Sequence, residues 1–541
     1  MRFASAPLLA ASLALAACTP GAPTTAPAPT PAPAAPARPL TEAPVNWHLL
    51  DAAEGVPGIS LLRAERELLA GRQPARTVVV AVIDNGVDTA HAALRGRLWL
   101  NADETPGNGR DDDGNGLADD MRGWNYIGGR DGRNVNQDTY EVTRLAAMCD
   151  RPAARDSIPP RYRGRCEEIQ ASFAERRGEA EQVMMQVRQI DGLLAQILPI
   201  LRHAHGNDSL TRELVQRITP ANDTVRQARE LYLRLAAAGI TPQDVDEAKK
   251  AYGSQLEFGY NKSFDPRPIV GDNYPDASVR VYGNADVTGA DAGHGTHVAG
   301  IIAGGRDGGG TGILPSARIM ALRVVPDGDE RDKDIANAIR YAVDQGARVI
   351  NMSFGKAYSP YKELVDAAVK YADERGVLMV HGAGNDGNDL AKAESFPTPV
   401  YADGGRAVNW ITVGATSWNG RDSLVASFSN FGKAQVDVFA PGVDIYSTYL
   451  NGGYKKESGT SMASPVVAGL AALIMSYYPT LTATDVRRVI TESAVRRVDQ
   501  MVVRPGAEGG MVKFGDLSVT GGIVNAYAAL RLAEQLSSTR P

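Results

Sequence analysis

The chain has little positive charge to spare, few cysteines and few histidines. Its 57 Lys and Arg face 63 Asp and Glu, a formal charge of −6, so no basic face dominates and nucleic acid is not expected as a partner. The apolar run in the N-terminal "MRFASAPLLAASLALAAC" is too short to span a bilayer, which excludes a transmembrane anchor there. The run follows a single Arg and ends in small residues, the layout of a secretory signal over residues 1–17. Cysteines number three, Cys18, Cys149 and Cys166, and no histidine lies between the last two, which argues against a metal site in that stretch. Hydrophobic residues make up 43% and charged ones 22%, an ordinary globular balance.

Residues 18–45 are nearly all Pro, Ala and Thr after the cysteine, a composition that builds no core and favours extended polyproline II, so they read as a tether. Leu15-Ala16-Ala17-Cys18 resembles the lipobox of bacterial lipoproteins. That resemblance implies cleavage before Cys18 and acylation of its thiol and new amino group, with several acyl chains giving stable anchoring. The expected location is the cell envelope, at the outer membrane if the organism is Gram-negative, since Thr19 rather than Asp follows the cysteine. With Cys18 lipidated, Cys149 and Cys166 remain as an even pair in an oxidising compartment. A disulfide between them is expected, two unpaired thiols being the alternative.

From residue 77 the pattern is α/β. "TVVVAVIDNGVD" is a β-branched run ending in an acid, as in a strand buried on both faces. Similar runs occupy 317–325, 347–354, 376–385 and 410–417, with helical patterns at 332–346 and 361–376 between them. Alternating strand and helix predict a mostly parallel sheet with helices on both faces, and function at the carboxyl ends of its strands. The segment 130–265 differs, being rich in Arg, Glu, Gln and Leu. Val183, Val187, Ile190, Leu194, Ile197 and Leu201 alternate spacings of four and three, which predicts a coiled-coil-like seam. Gly192 and Pro199 are expected to weaken or kink that helix, and a second helix is expected to start at Thr241-Pro242. The expected organisation is a domain in two parts, 46–129 and 266–541, interrupted by a helical insertion at 130–265.

Three stretches carry chemistry. Asp84 ends a buried strand, His294 precedes a small-residue helix in "GHGTHVAG", and "SGTSMASPVVAG" opens another helix with serines. A serine hydroxyl becomes a nucleophile only when a base takes its proton, and that base needs an acid to fix its tautomer. His294 and His297 could suggest a metal pair, but "HGTH" lacks the Glu of a zinc-binding helix. Taken singly, each stretch has a bland reading as a turn or a helix cap. Taken together and in this order, "DNGVD", "HGTHVAG" and "GTSMASP" resemble the subtilisin-like serine proteases over roughly 77–130 and 265–535.

The resemblance implies a subtilisin-like three-layer α/β fold and an enzyme that hydrolyses peptide bonds in protein or peptide substrates, with no cofactor for catalysis. It implies Asp84 as the residue orienting the base, His294 as general base and acid, and Ser461 as nucleophile. "VHGAGNDG" matches the family's oxyanion segment, so Asn385 would donate its amide beside the Ser461 N–H. "NMSFG" matches the strand that pairs with extended substrate, which places Ser353, Phe354 and Gly355 beside the primary pocket. His297 falls on the family's structural histidine, and Ser458 and Ser464 are expected to be bystanders.

Asp111, Asp113, Asn115 and Asp119 surround Gly116 in "GRDDDGNGLADD". Hard oxygens at this spacing suit Ca²⁺, although the twelfth-position Glu of an EF-hand is absent, and a solvated acidic turn is the alternative. About thirty residues separate the tether from the Asp84 strand, too few for the folded propeptide common in this family. A catalytically silent, peptide-binding lipoprotein is the competing reading of the whole chain.

Overall fold

The structure is a computed structural model and describes residues 40–151, 157–206, 210–507 and 509–539. The signal-like segment, Cys18 and most of the tether lie outside the described residues.

Among the described residues thirteen strands form: β1 Val79–Asp84, β2 Gly123–Asn125, β3 Arg318–Arg323, β4 Val349–Met352, β5 Leu378–Gly382, β6 Trp410–Thr416, β7 Val438–Pro441, β8 Ile445–Thr448, β9 Tyr454–Glu457, β10 Val495–Arg496, β11 Met501–Val503, β12 Met511–Lys513 and β13 Gly522–Ile523. Nine of them make one sheet in the order β10-β13-β7-β6-β5-β4-β1-β3-β2, parallel except for the β10–β13 pair. The five sequence-predicted strands are its centre. Side chains alternate across them with period two. Val80 and Val82 pack with the helices α7 (Gly293–Ala303) and α10 (Thr460–Tyr477), whereas Ala81 and Ile83 pack with α8 (Asp332–Asp344) and α9 (Lys362–Glu374). Each strand therefore faces apolar side chains on both sides, which is why its sequence shows a continuous apolar run.

Among the described residues α10 alone is long and apolar enough to cross a membrane, and it is the buried central helix of the fold. The chain is packed from Ala43 onward. Trp47 is fully buried, and α1 (Leu61–Glu67) lies against the C-terminal helix α12 (Ala526–Ser538), with α11 (Ala483–Glu492) beside it.

Between β2 and β3 the chain leaves the sheet to form α2 (Glu141–Cys149), α3 (Cys166–His205), α4 (Arg212–Arg217), α5 (Asp223–Ala237) and α6 (Pro242–Ser254). These helices build two cores of their own, one around Leu145, Tyr162, Ile169 and Phe173, the other around Val187, Leu194, Ile197 and Leu201. The seam residues Val187, Leu194, Ile197 and Leu201 are buried, as the spacing predicts. The expected weakening at Gly192 and Pro199 does not break the helix: α3 runs through both for 40 residues, because packing along one face outweighs the local cost. Thr241 caps α6 by accepting the Asp244 N–H, with Pro242 in the first turn. A disulfide joins Cys149 at the end of α2 to Cys166 at the start of α3, with Cα atoms 5.5 Å apart.

Candidate active site

The carboxyl ends of β1, β4 and β5 and the N-termini of α7 and α10 meet on one side of the sheet. Asp84 is the last residue of β1 and is 1% exposed. Its Oδ1 lies 2.7 Å from His294 Nδ1 and also accepts the Asn85 N–H at 2.8 Å. Two small residues permit this approach. A Cβ at Gly295 would stand 2.1 Å from the Gly86 carbonyl, so the first turn of α7 reaches the strand end only because position 295 has none. Gly86 itself adopts a φ of +126° against the Thr288 carbonyl. Asn85 Oδ1 then accepts the Gly295 N–H at 2.9 Å and Thr296 Oγ1 accepts the Asp88 N–H at 2.7 Å, which docks the helix on the strand.

The His294 ring is about one-third exposed. Burial alone would lower its pKa, but the Asp84 carboxylate, by charge and by hydrogen bond, outweighs this and raises it above the ordinary 6.5. His297 behaves oppositely. It is fully buried, and burial pulls it down to about 4, so it stays neutral and donates from Nε2 to the carbonyls of Ile445 and Lys455 at 2.9 and 3.0 Å. It thereby pins the β8–β9 hairpin against α7.

Ser461 sits in the first turn of α10, where unpaired backbone N–H groups point outward. Its Oγ donates to the Ser353 carbonyl at 3.1 Å, and among the described residues no hydrogen bond joins it to His294. To pass its proton to His294 Nε2 the hydroxyl would have to exchange that acceptor for the ring nitrogen. Asn385, exposed in the loop after β5, accepts from Thr460 N and Oγ1 through its Oδ1 at 2.8 and 3.0 Å, which leaves its Nδ2 free to donate. A Cβ built on Gly459 would lie 3.4 Å from Asn385 Nδ2 and 3.5 Å from Ser461 N. The bare glycine therefore leaves open a space beside both nitrogens, where an oxyanion would need its donors.

Neighbouring hydroxyls support this arrangement. Ser464 Oγ donates to Asn351 Oδ1, Asn351 Nδ2 donates to Ser353 Oγ, and Ser353 Oγ donates to the Ser461 carbonyl, at 2.8, 2.9 and 2.9 Å. Ser458 Oγ accepts the Asp444 N–H at 2.9 Å. The two expected bystanders hold structure in place: Ser464 braces the turn that carries Ser461 from within the core, and Ser458 fixes the approach to it. Asn85, Thr460 and Asn351 were not singled out from the sequence. Only their adjacency to Asp84, Ser461 and Ser353 could have drawn attention to them.

Phe354 and Gly355 continue from Ser353. The Phe354 carbonyl accepts from His381 Nε2 at 2.8 Å, and His381 is buried and pulled down to about 4.

In the acidic loop, Asp111 and Asp113 come together with Glu104, a residue the sequence pattern did not include, their oxygens lying within 4.8 Å of one another. Asn115 is turned toward Asp113 and Asp120, and Asp119 accepts from the Asn108 and Gly109 N–H groups. Oxygen donors of this kind suit a hard cation, and each carboxylate oxygen engaged with an N–H keeps a second lone pair.

Comparison with known proteins gives the family. A model of the subtilase family matches residues 75–509. A thermophilic serine proteinase from Bacillus sp. (strain AK1) is 45% identical over 186 residues, 34% of this chain and 42% of that protein. Subtilisin DY from Bacillus licheniformis is 39% identical over 218 residues, 40% of this chain and 74% of that protein. Thermitase from Thermoactinomyces vulgaris is 39% identical over 234 residues, 42% of this chain and 77% of that protein. The chain belongs to the subtilase family of serine proteases, hydrolases that act on protein or peptide substrates.

Proposed function

We propose that the chain is a serine endopeptidase that works through Asp84, His294 and Ser461 and an acyl-enzyme intermediate. The observation that carries this reading is the 2.7 Å bond between Asp84 Oδ1 and His294 Nδ1 at a strand end, with Ser461 at the helix start that also faces the Asn385 amide. Bonding at Nδ1 fixes the tautomer that leaves Nε2 as a proton acceptor. Nε2 takes the Ser461 proton as Oγ attacks the scissile carbonyl, and the oxyanion meets the Ser461 N–H and Asn385 Nδ2. The imidazolium, held against Asp84, returns the proton to the leaving amine, and water repeats the sequence to release the acid. Ser353, Phe354 and Gly355 bind the acyl side of an extended substrate. The chemistry needs no cofactor.

The reading extends to an exported enzyme, lipid-anchored through Cys18 in the cell envelope and carrying a structural Ca²⁺ held by Glu104, Asp111 and Asp113. Support for the anchor is the lipobox-like LAAC sequence; support for the ion is the convergence of three carboxylates.

The test of catalysis is Ser461→Ala together with labelling by a serine-directed phosphonate. Hydrolysis should vanish and the label should map to Ser461; full activity in the variant would sink the reading. Labelling with radioactive palmitate should be lost in Cys18→Ser, and unlabelled parent protein would refute the anchor.

A further inference from the structure

The helical insertion meets the catalytic domain where a bound peptide would run. Beyond β4 the backbone alternates. The Phe354 carbonyl is taken by His381, and Lys356 exchanges both its N–H and its C=O with Phe396. Gly355 between them is exposed, and its N–H and C=O have no hydrogen-bond partner among the described residues. The open edge beside Ser461 therefore offers the Ser353 carbonyl and then the two backbone groups of Gly355, the pattern that receives an antiparallel peptide strand.

The next residue along that edge is Lys356, whose backbone is already paired with Phe396. The side chain of Lys356 is fully buried; its ammonium donates to the Glu330 carbonyl at 2.7 Å and to Glu141 Oε2 at 3.0 Å, and lies 2.8 Å from Asp332 Oδ1 as an ion pair. Through the Glu330 carbonyl the lysine ties the strand that carries 353–355 to the facing segment at 328–330. Glu141 belongs to α2, the first helix of the insertion, and is held in place by Arg144 Nη2 at 2.8 Å and by its own N–H on Asp329 Oδ2 at 2.8 Å. The insertion also pairs along the facing segment. Asp327 N donates to the Asn136 carbonyl, Asp138 N donates to the Asp327 carbonyl, and the buried Arg331 donates twice to Asp138. Swinging Lys356 aside would leave the buried Asp332 carboxylate without a cation, with only the Ser359 hydroxyl and the Tyr361 N–H bonded to it, and would leave Glu141 with Arg144 alone, which is unfavourable. The obstruction is therefore fixed.

We propose that this ionic plug, completed by the insertion, limits recognition on the acyl side to three residues. The proposal rests on the protease reading above and on Ser353 to Gly355 as the strand that binds substrate. Paired one to one, the first substrate residue lies opposite Ser353 and the third opposite Gly355. The fourth then meets Lys356, about 10 Å along the edge from Ser353. A longer chain must leave the groove at that point and gains nothing from it.

The experiment measures kcat/KM for peptide anilides with one to five residues before the scissile bond. The value should climb to the third residue, and each further residue should change it by less than about threefold, because no binding energy remains there to spend in the transition state. A threefold or greater gain from the fourth residue overturns the plug. Lys356→Gly should open the groove and raise the ratio of four-residue to three-residue rates at least about threefold, whereas Lys356→Met, which keeps the bulk, should not. A folded Lys356→Gly protein with the parent's ratio also overturns the proposal, and if that variant does not fold, the series on the parent decides. A parent that hydrolyses none of the peptides fails the protease reading itself, a result distinct from a four-residue gain.

Discussion

Replacing Asp84 by Asn separates orientation from charge at this site. Asp84 Oδ1 serves both the Asn85 N–H and His294 Nδ1, while Oδ2 is buried and has no hydrogen-bond partner. An asparagine therefore keeps its carbonyl oxygen at the Oδ1 position, and the His294 tautomer survives. Its amide nitrogen takes the Oδ2 position without an acceptor, at a cost of about 1–3 kcal/mol to stability. What is lost is the negative charge beside the imidazolium. Unit charges about 4 Å apart at an effective dielectric of about 20 attract by about 4 kcal/mol. If that stabilisation is absent from the transition state, turnover falls about a thousandfold. The pH profile moves as well. His294 acts as a base only when neutral, and Asp84 holds its pKa above 6.5, so parent activity is lost as pH falls through that raised value. Without the charge the acid limb should shift to lower pH. The assay is kcat/KM on a peptide anilide between pH 5 and 9, with circular dichroism to confirm the fold. A variant within tenfold of the parent, or an acid limb that does not move, would refute the reasoning.

Gly459→Ala should lower kcat by a factor of about 10² or more without lowering the melting temperature, because its methyl group would sit 3.4 Å from Asn385 Nδ2 and 3.5 Å from Ser461 N, where the oxyanion belongs. Normal turnover in that variant would remove the oxyanion assignment. Cys149→Ser opens a bridge across a separation of 17 residues and is expected to destabilise the insertion by about 3 kcal/mol. Reductant should lower the parent's melting temperature in the same way, and an unchanged transition would contradict it. Calcium chelation should lower the melting temperature of the parent, and Asp111→Asn with Asp113→Asn should abolish that response; indifference to chelator would exclude the ion.

The outer plan of the fold and the residues proposed to react are legible because each leaves a local trace. Strands buried on both faces show as apolar runs, helices beside them show a 3.6-residue period, and "DNGVD", "HGTHVAG" and "GTSMASP" mark three element ends. The insertion was legible as helical from its composition, but its course was not. Gly192 and Pro199 pointed to a weakened or kinked α3, and packing against α5 and α6 carried the helix through both. The acidic loop shows a similar limit: sequence spacing grouped Asp111 and Asp113 with Asn115 and Asp119, whereas folding the loop brought in Glu104 from seven residues upstream.

By itself, then, the sequence determined the α/β class and the order of the central strands and their helices, and it marked Asp84, His294, Ser461 and Asn385 as the residues proposed to react, since those readings depend on periodicity and on motifs a few residues long. Only the tertiary structure decided how far apart they stand and what lies at the end of the groove. Asp84 and His294 are 210 positions apart in the chain and 2.7 Å apart in space. Lys356 meets Glu141 across 215 positions. Contacts at such separations follow from how sheet and helices pack, and no local pattern encodes them.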